Sequence, residues 1–336
     1  MKEILNHLIE HKTLSKEQAK GVLKEMTSGE VNTSQMAAFL TIFMMRSVRV
    51  EELMGFREAM LERCIAVDIP EYDAIDLCGT GGDGKDTFNI STLASFIVAG
   101  AGQPVAKHGN VGVSSVCGSS NLLAHFGYEF TNDVDQLKRS LDNAGICFLH
   151  APLFHPAMKH VGPVRKELGV KTFFNMLGPM VNPSFPKKQL VGVFSLELAR
   201  LYGYLYQNND VRFSILHALD GYDEVSLTGD LKWMSNEGEK IVSPEELGFN
   251  TIMPETIKGG TTIEESADIF MNILKGKGSP EQEAVVIANA TLALTTSKPD
   301  WSLDKAREKA TETLKNGTAL KVFNQLIHPK TSIKIC

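Results

Sequence analysis

The 336-residue sequence predicts an α/β fold, a mainly parallel sheet flanked by helices, joined to a smaller all-helical domain. Two observations carry this. Up to about residue 65 the apolar residues recur only at helical spacing. From Tyr72 onward, short apolar runs alternate with glycine-rich turns and helical stretches, the pattern of strands connected by crossover helices. A hydrophobic content of 43% with 22% charged residues is enough to bury a sizeable core.

In chain order, Ile4, Leu5, Leu8 and Ile9 form the apolar face of a first helix. Ala19, Val22, Leu23 and Met26 form that of a second, for which Ser15 and Gln18 supply a capping box. A third helix follows Asn32 with Met36, Phe39, Leu40 and Phe43 on one side, and a fourth carries Leu53, Met60, Leu61 and Cys64. Strands are expected at residues 74–77, 104–106, 146–149, 190–194 and 211–219. A helix is expected over 155–169, and after Thr261 helices carry Ile269, Phe270, Ile273 and Leu274, then Ala284, Val285, Ile287 and Ala288. The expected domains are 1–70, small and helical, completed by a helical segment near 155–185, and 71–336, large and α/β.

The net charge of -6, with 34 basic against 40 acidic side chains, opposes binding to a polyanion, so no nucleic-acid partner is expected. The charged start lacks a signal-peptide core and no apolar run reaches membrane-spanning length, so the expectation is a cytoplasmic protein with no membrane partner. Cys64, Cys78, Cys117, Cys147 and Cys336 form no C-x-x-C pair and read as reduced thiols.

Ligands of parallel sheets bind at the carboxyl ends of the strands, so the turns after the apolar runs are the places to look for chemistry. Gly79, Gly81, Gly82 and Gly84 fall within six residues after the first run and let backbone N–H groups approach an anion. Gly79 to Gly84 also spells G-x-G-x-x-G, yet the acidic residue that a dinucleotide ribose requires is missing, because residues 87–128 contain no Asp or Glu. The nucleoside-triphosphate phosphate loop nearly fits but ends in Asp86, whose carboxylate would repel phosphate. The acid-free stretch holds Lys107, His108 and His125 and suits a polyanionic ligand. Asn89, Ile90, Ser91 and Thr92 open the next helix, where hydroxyls and unpaired N–H groups would face that ligand.

The second run ends in Lys107, His108, Gly109 and Asn110 and leads through Gly112, Ser114 and Ser115 to Gly118, Ser119 and Ser120, a second anion cradle with its own cation. Asp223 and Glu224 follow the fifth run. Mg²⁺ is typically held by one or two carboxylates plus waters and substrate phosphates, although an exposed Asp-Gly turn explains the same letters. Lys159, Arg165 and Lys166 read by default as the wet face of their helix.

Gly79 to Asp83, Asn89 to Thr92, Lys107 to Asn110, residues 155–183 and the pair Asp223 and Glu224 resemble, in order and spacing, the anthranilate phosphoribosyltransferases. The resemblance covers essentially the whole chain. It implies transfer of phosphoribose from phosphoribosyl pyrophosphate (PRPP) to the amine of anthranilate, in tryptophan biosynthesis. It also implies that Gly82, Asp83, Thr87, Asn89, Ser91, Thr92, Lys107, Ser115 and Ser119 contact PRPP, in a cradle with Gly79, Ile90, His108, Gly109 and Asn110. Gly79, Asn110 and Arg165 would line the anthranilate site. Ser91 and Glu224 would hold one Mg²⁺, and Asp223 and Glu224 a second. A homodimer formed through the helical domain is implied as well. Val111 stands where the family often has Arg. The glycine and Lys-His-Gly-Asn motifs are partly shared with pyrimidine nucleoside phosphorylases, which are the alternative enzyme reading. A noncatalytic nucleic-acid-binding relative is the alternative from another class. His108 is a general-base candidate only by its position in the sequence.

Overall fold

The computed structural model describes residues 1–112, 116–207 and 209–328. The chain divides into two compact units, one made of Met1–Val67 with Ala151–Phe185, the other of Asp68–His150 with the chain from Pro186 onward. Helices α1 (Lys2–Ile9), α2 (Lys16–Ser28), α3 (Thr33–Met45) and α4 (Val50–Glu62) come first. Then follow β1 (Ile75–Gly79), α5 (Ile90–Gly100), β2 (Val105–Gly109), α6 (Ser119–His125), α7 (Val134–Ala144) and β3 (Ile146–His150). Short helices α8 (Ala151–Phe154), α9 (Gly162–Leu168) and α10 (Phe174–Leu177) precede β4 (Lys188–Gly192), α11 (Leu196–Gln207) and β5 (Arg212–Ala218). Strands β6 (Leu231–Ser235) and β7 (Gly238–Val242) lead into α12 (Ile263–Leu274), α13 (Pro280–Ser297), α14 (Leu303–Lys315) and α15 (Thr318–Ile327).

In the helical unit, α2 starts at the expected capping box: Ser15 Oγ accepts the Gln18 N–H at 3.3 Å and Gln18 Oε1 accepts the Ser15 N–H at 2.9 Å. Asn32 caps α3 in one direction, its Oδ1 accepting the Gln35 N–H at 2.9 Å. The expected apolar faces of α2 and α3 are buried, and Phe39, Phe43 and Phe56 gather around Phe173, which stacks on Phe56 with ring centroids 4.3 Å apart. In α1 only Leu8 is buried and Ile9 is 64% exposed, because the helix ends there instead of continuing along its face. The single helix expected over 155–169 is broken into a 3-10 turn, Pro156–His160, and α9. Pro156 and Pro163 each lack an N–H and occupy first-turn positions, where a helix can begin but not continue.

The second unit is built on one seven-stranded sheet of order β3-β2-β1-β4-β5-β6-β7. Its first five strands are parallel and correspond to the five expected runs, with Gly79 beside Gly192 and Gly109 beside His150, so their carboxyl ends lie level. β6 and β7 form an antiparallel hairpin on β5 that the sequence reading did not anticipate. The cause is that β7 buries only Val242, so its Gly-Glu-Lys-Ile-Val carries no clear alternation. Helix α13 is buried nearly all round, packing Val285, Val286, Leu292 and Leu294 into the same core as Leu93, Phe96 and Ile97 of α5. Each such side chain contributes roughly 1.5–3 kcal/mol on burial. No described helix is long and apolar enough to cross a membrane.

Candidate active site

The chemistry-bearing residues of the sheet unit collect where the level strand ends predict them. Beyond β1 the chain runs through Gly81, Gly82 and Gly84 at φ 65°, 78° and 73°, values that only glycine adopts without strain. This turn packs on the acidic turn beyond β5, for the Gly81 N–H donates to Asp223 Oδ2 at 2.6 Å. Asp83 accepts the N–H of Lys85 at 3.1 Å and that of Asp223 at 3.4 Å. Approach is closest at the β1–β4 edge: a Cβ on Gly79 would lie 2.6 Å from Asp223 Oδ2, and one on Gly192 would lie 1.5 Å from the Asp223 carbonyl oxygen. Both glycines are therefore required by the carboxylate turn.

Asp223 is buried and Glu224 half-buried. Burial, then the neighbouring charge of Asp83, raises Asp223 from 3.8 to about 7; the Gly81 N–H opposes this. Burial, then Asp223, raises Glu224 from 4.5 to about 8, opposed by Lys107 and by the backbone N–H of Ser91. Lys107 is buried, donating through Nζ to the Leu77 carbonyl at 2.5 Å and to Ser91 Oγ at 3.3 Å. Desolvation lowers its pKa while Asp76, Cys78 and Glu224 hold it up. Glu224, Ser91 and Lys107 thus converge at the start of α5. Three carboxylates crowded beside one cation are hard oxygen donors with a charge excess that a divalent cation would relieve. Among the described residues no group of three or more His, Cys, Asp or Glu is arranged to hold a metal by itself.

The other predicted residues fall into clear places. Asn89 Nδ2 donates to the Cys117 carbonyl at 2.9 Å and so ties the start of α5 to the second cradle. Thr87 pairs across an isolated bridge with Lys258, and Thr92 is buried. Ile90 is buried in the core, which leaves its backbone alone to face a ligand. His108 is buried and its backbone N–H donates to Asp76 Oδ1 at 3.1 Å. Gly109 lies under Ser119, whose Oγ would be 2.5 Å from a Cβ there. The Asn110 carbonyl accepts the Ser120 N–H at 3.1 Å and Ser119 Oγ–H at 3.4 Å. Val111 is exposed. Ser115 and Ser114 lie outside the described residues. Arg165 belongs to the helical unit, on α9, where it is half-buried: its guanidinium sits 5.1 Å from the Phe174 ring centroid and Nη2 donates to Asn175 Oδ1 at 3.4 Å. The default solvated-face reading fits Lys159 and Lys166, which are exposed, and not Arg165.

Two supporting residues escaped the sequence reading. Asp76, fully buried in β1, accepts from the His108 backbone and from Gln189 Nε2 at 3.2 Å. Asn289, fully buried in α13, accepts the Val225 N–H at 3.1 Å and donates to the Val225 carbonyl at 2.9 Å, pinning the residue after Glu224. In each case the available signal was a polar residue alone in an apolar run, which must be paired when buried.

A helical bundle joined to an α/β unit with anion cradles and a carboxylate pair at its strand ends defines a phosphosugar-handling transferase. Residues 71–320 match the α/β domain, and residues 2–64 the helical bundle domain, of the glycosyl transferase family. The chain is 61% identical to the anthranilate phosphoribosyltransferase of Flavobacterium johnsoniae over 97% of its own length and 98% of that protein. It is also similar to the crystal structure of the Thermus thermophilus anthranilate phosphoribosyltransferase, with TM-score 0.89, 33% identity and coverage of 96% and 98% of the two chains. A third match is the Saccharomyces cerevisiae enzyme in complex with PRPP and Mg, with TM-score 0.86, 27% identity and coverage of 94% and 93%. The chain belongs to the anthranilate phosphoribosyltransferase family.

Proposed function

We propose that this chain transfers the phosphoribosyl group of PRPP to the amine of anthranilate, giving N-(5-phosphoribosyl)anthranilate and pyrophosphate, a step of tryptophan biosynthesis. The observation that carries the reading is the packing of the Gly81 N–H on the Asp223 carboxylate, which brings the glycine cradle to the acidic pair. Breaking the bond from the anomeric carbon to pyrophosphate leaves negative charge on the leaving group and cationic character on carbon. In this reading Lys107, whose Nζ lies 3.3 Å from Ser91 Oγ, and the N–H groups of the glycine turn other than that of Gly81 receive the leaving charge. Ser91, Asp223 and Glu224 are the residues that would hold Mg²⁺, two ions per chain in our reading. When bound, Mg²⁺ supplies further neutralisation of the pyrophosphate.

Gly82, Asp83, Thr87, Asn89, Thr92 and Ser119 complete the PRPP cradle in this reading. Arg165 holds the anthranilate carboxylate, with Gly79 and Asn110 lining the acceptor site. These residues supply orientation of the amine to the attack. We further propose a cytoplasmic homodimer joined through its helical units, consistent with Met44 at 42% and Met45 at 84% exposure at the end of α3. The test is loss of anthranilate fluorescence on mixing enzyme with PRPP and Mg²⁺. Phosphorolysis of thymidine or uridine without anthranilate consumption would place the chain with the nucleoside phosphorylases instead.

A further inference from the structure

His150 ends β3 level with Gly109 of β2, so its side chain leaves the sheet beside the second cradle. Its Nδ1 lies 2.8 Å from Ser120 Oγ, and its ring stacks on Phe130 with centroids 4.6 Å apart and planes inclined by 30°. A histidine fixed on one face by an aromatic ring and at one nitrogen by a hydroxyl has little rotational freedom. The hydroxyl belongs to the residue whose N–H donates to the Asn110 carbonyl at 3.1 Å. The next residue, Asn121, accepts the N–H groups of Gly112 at 2.9 Å and Gly118 at 3.1 Å through the same Oδ1. Three consecutive residues at the start of α6 therefore bond the backbone on both sides of the cradle loop, and His150 is the group that anchors the middle one to the sheet. Burial lowers the pKa of His150, which keeps the ring neutral and able to share one proton with the serine.

We propose that His150 is a positioning residue: by holding Ser120, it fixes the backbone at Asn110 and thereby sets how tightly the aromatic acceptor is held. This rests on the functional reading above, in which Asn110 lines the acceptor site. Of the assigned PRPP contacts Ser119 and Asn110 lie nearest Ser120, and Ser119 Oγ keeps its own bond to the Asn110 carbonyl at 3.4 Å without His150, so removal of His150 is felt first on the acceptor side.

His150→Phe keeps the stacking on Phe130 and removes the bond; Ser120→Ala removes it from the other end; His150→Asn places an amide group where Nδ1 was. One neutral hydrogen bond corresponds to about a three- to tenfold change in equilibrium. His150→Phe and Ser120→Ala are expected each to raise the anthranilate KM by about that factor with the PRPP KM within twofold. The double variant should be no worse than either single one, and His150→Asn should recover most of the loss. At one fixed pH, the Nδ1 nitrogen resonance of His150 should also move in Ser120→Ala. Unchanged anthranilate KM in both single variants, multiplying effects in the double variant, or an unmoved Nδ1 resonance overturns the positioning role. A parent enzyme that consumes no anthranilate overturns the functional reading and the acceptor claim with it. A parent that consumes it alongside unaffected variants overturns the positioning role alone.

Discussion

Arg165 keeps its guanidinium half-buried against Phe174, and desolvation lowers its pKa, a cost that a surface residue would avoid by turning outward. A charge-assisted hydrogen bond to a carboxylate is worth roughly 1.5–3 kcal/mol, so Arg165→Ala should weaken anthranilate use by about ten- to a hundredfold while PRPP binding changes much less. Arg165→Lys should recover little, because a lysine lacks the planar fork. Equal anthranilate titrations for parent and Arg165→Ala would remove the residue from the acceptor site. At the other pole of the reaction, Asp223→Asn combined with Glu224→Gln should abolish most activity with circular dichroism unchanged, and excess Mg²⁺ should restore only part of it. Turnover within a factor of two of the parent at low Mg²⁺ would exclude the metal assignment. The carboxylates were legible in the sequence because they are adjacent and follow a strand. Arg165 looked like any helix cation, since its burial depends on Phe174, nine positions away and on another helix.

Elements explain why the turns meet as they do. β1 and β4 run in register, and the Thr80 N–H donates to the Gly192 carbonyl at 2.9 Å, which extends the ladder one step past Gly79. The acidic turn then lies directly against the end of β4, leaving no room for a side chain at Gly192. Gly192→Ala should therefore lose nearly all activity and lower the melting temperature by several degrees, about 2–4 °C for each kcal/mol in a chain of this size. Gly102→Ala is the control: nothing lies within 4 Å of its Cβ position and only its φ of 88° is unfavourable, so it should cost stability and spare the Mg²⁺ dependence of the rate. Equal effects of the two substitutions on that dependence would contradict the packing argument. The five parallel strands were legible because each is a short apolar run ended by glycine or a polar turn. The hairpin was not, because an edge strand answers to solvent on most of its surface. The helix expected over 155–169 is interrupted because Pro156 and Pro163 can begin a helical turn but not continue one.

At the scale of the whole molecule, fold class followed from the order of periodicities along the chain, whereas the residues that support the site from behind, Asp76 and Asn289, depended on tertiary partners 32 and 64 positions away. His155, buried with Nε2 bonded to the Val181 carbonyl at 2.9 Å, links stability to pH, since burial lowers its pKa from 6.5 to about 4. The unfolded chain binds the proton first as pH falls below 6.5, so stability declines from there down to about pH 4 and this contribution is then fully lost. The shift corresponds to about 3 kcal/mol. Urea unfolding at pH 7 and pH 4 should show a loss larger by about that amount in the parent than in His155→Gln; parallel losses would contradict it. The hairpin has a colloidal consequence. β7 exposes Glu239, Lys240 and Ile241 along the margin of the sheet, and a charged rim discourages a second chain from adding a strand. Without residues 231–242 that margin would be β5, buried from Phe213 to Ala218 and rich in aliphatic side chains. A chain lacking the hairpin should scatter light on dilution from denaturant at concentrations where the parent stays clear, and charge-preserving changes at Glu239 and Lys240 should not, because the rim of β7 guards against self-association while Leu231, Trp233 and Val242 belong to the core.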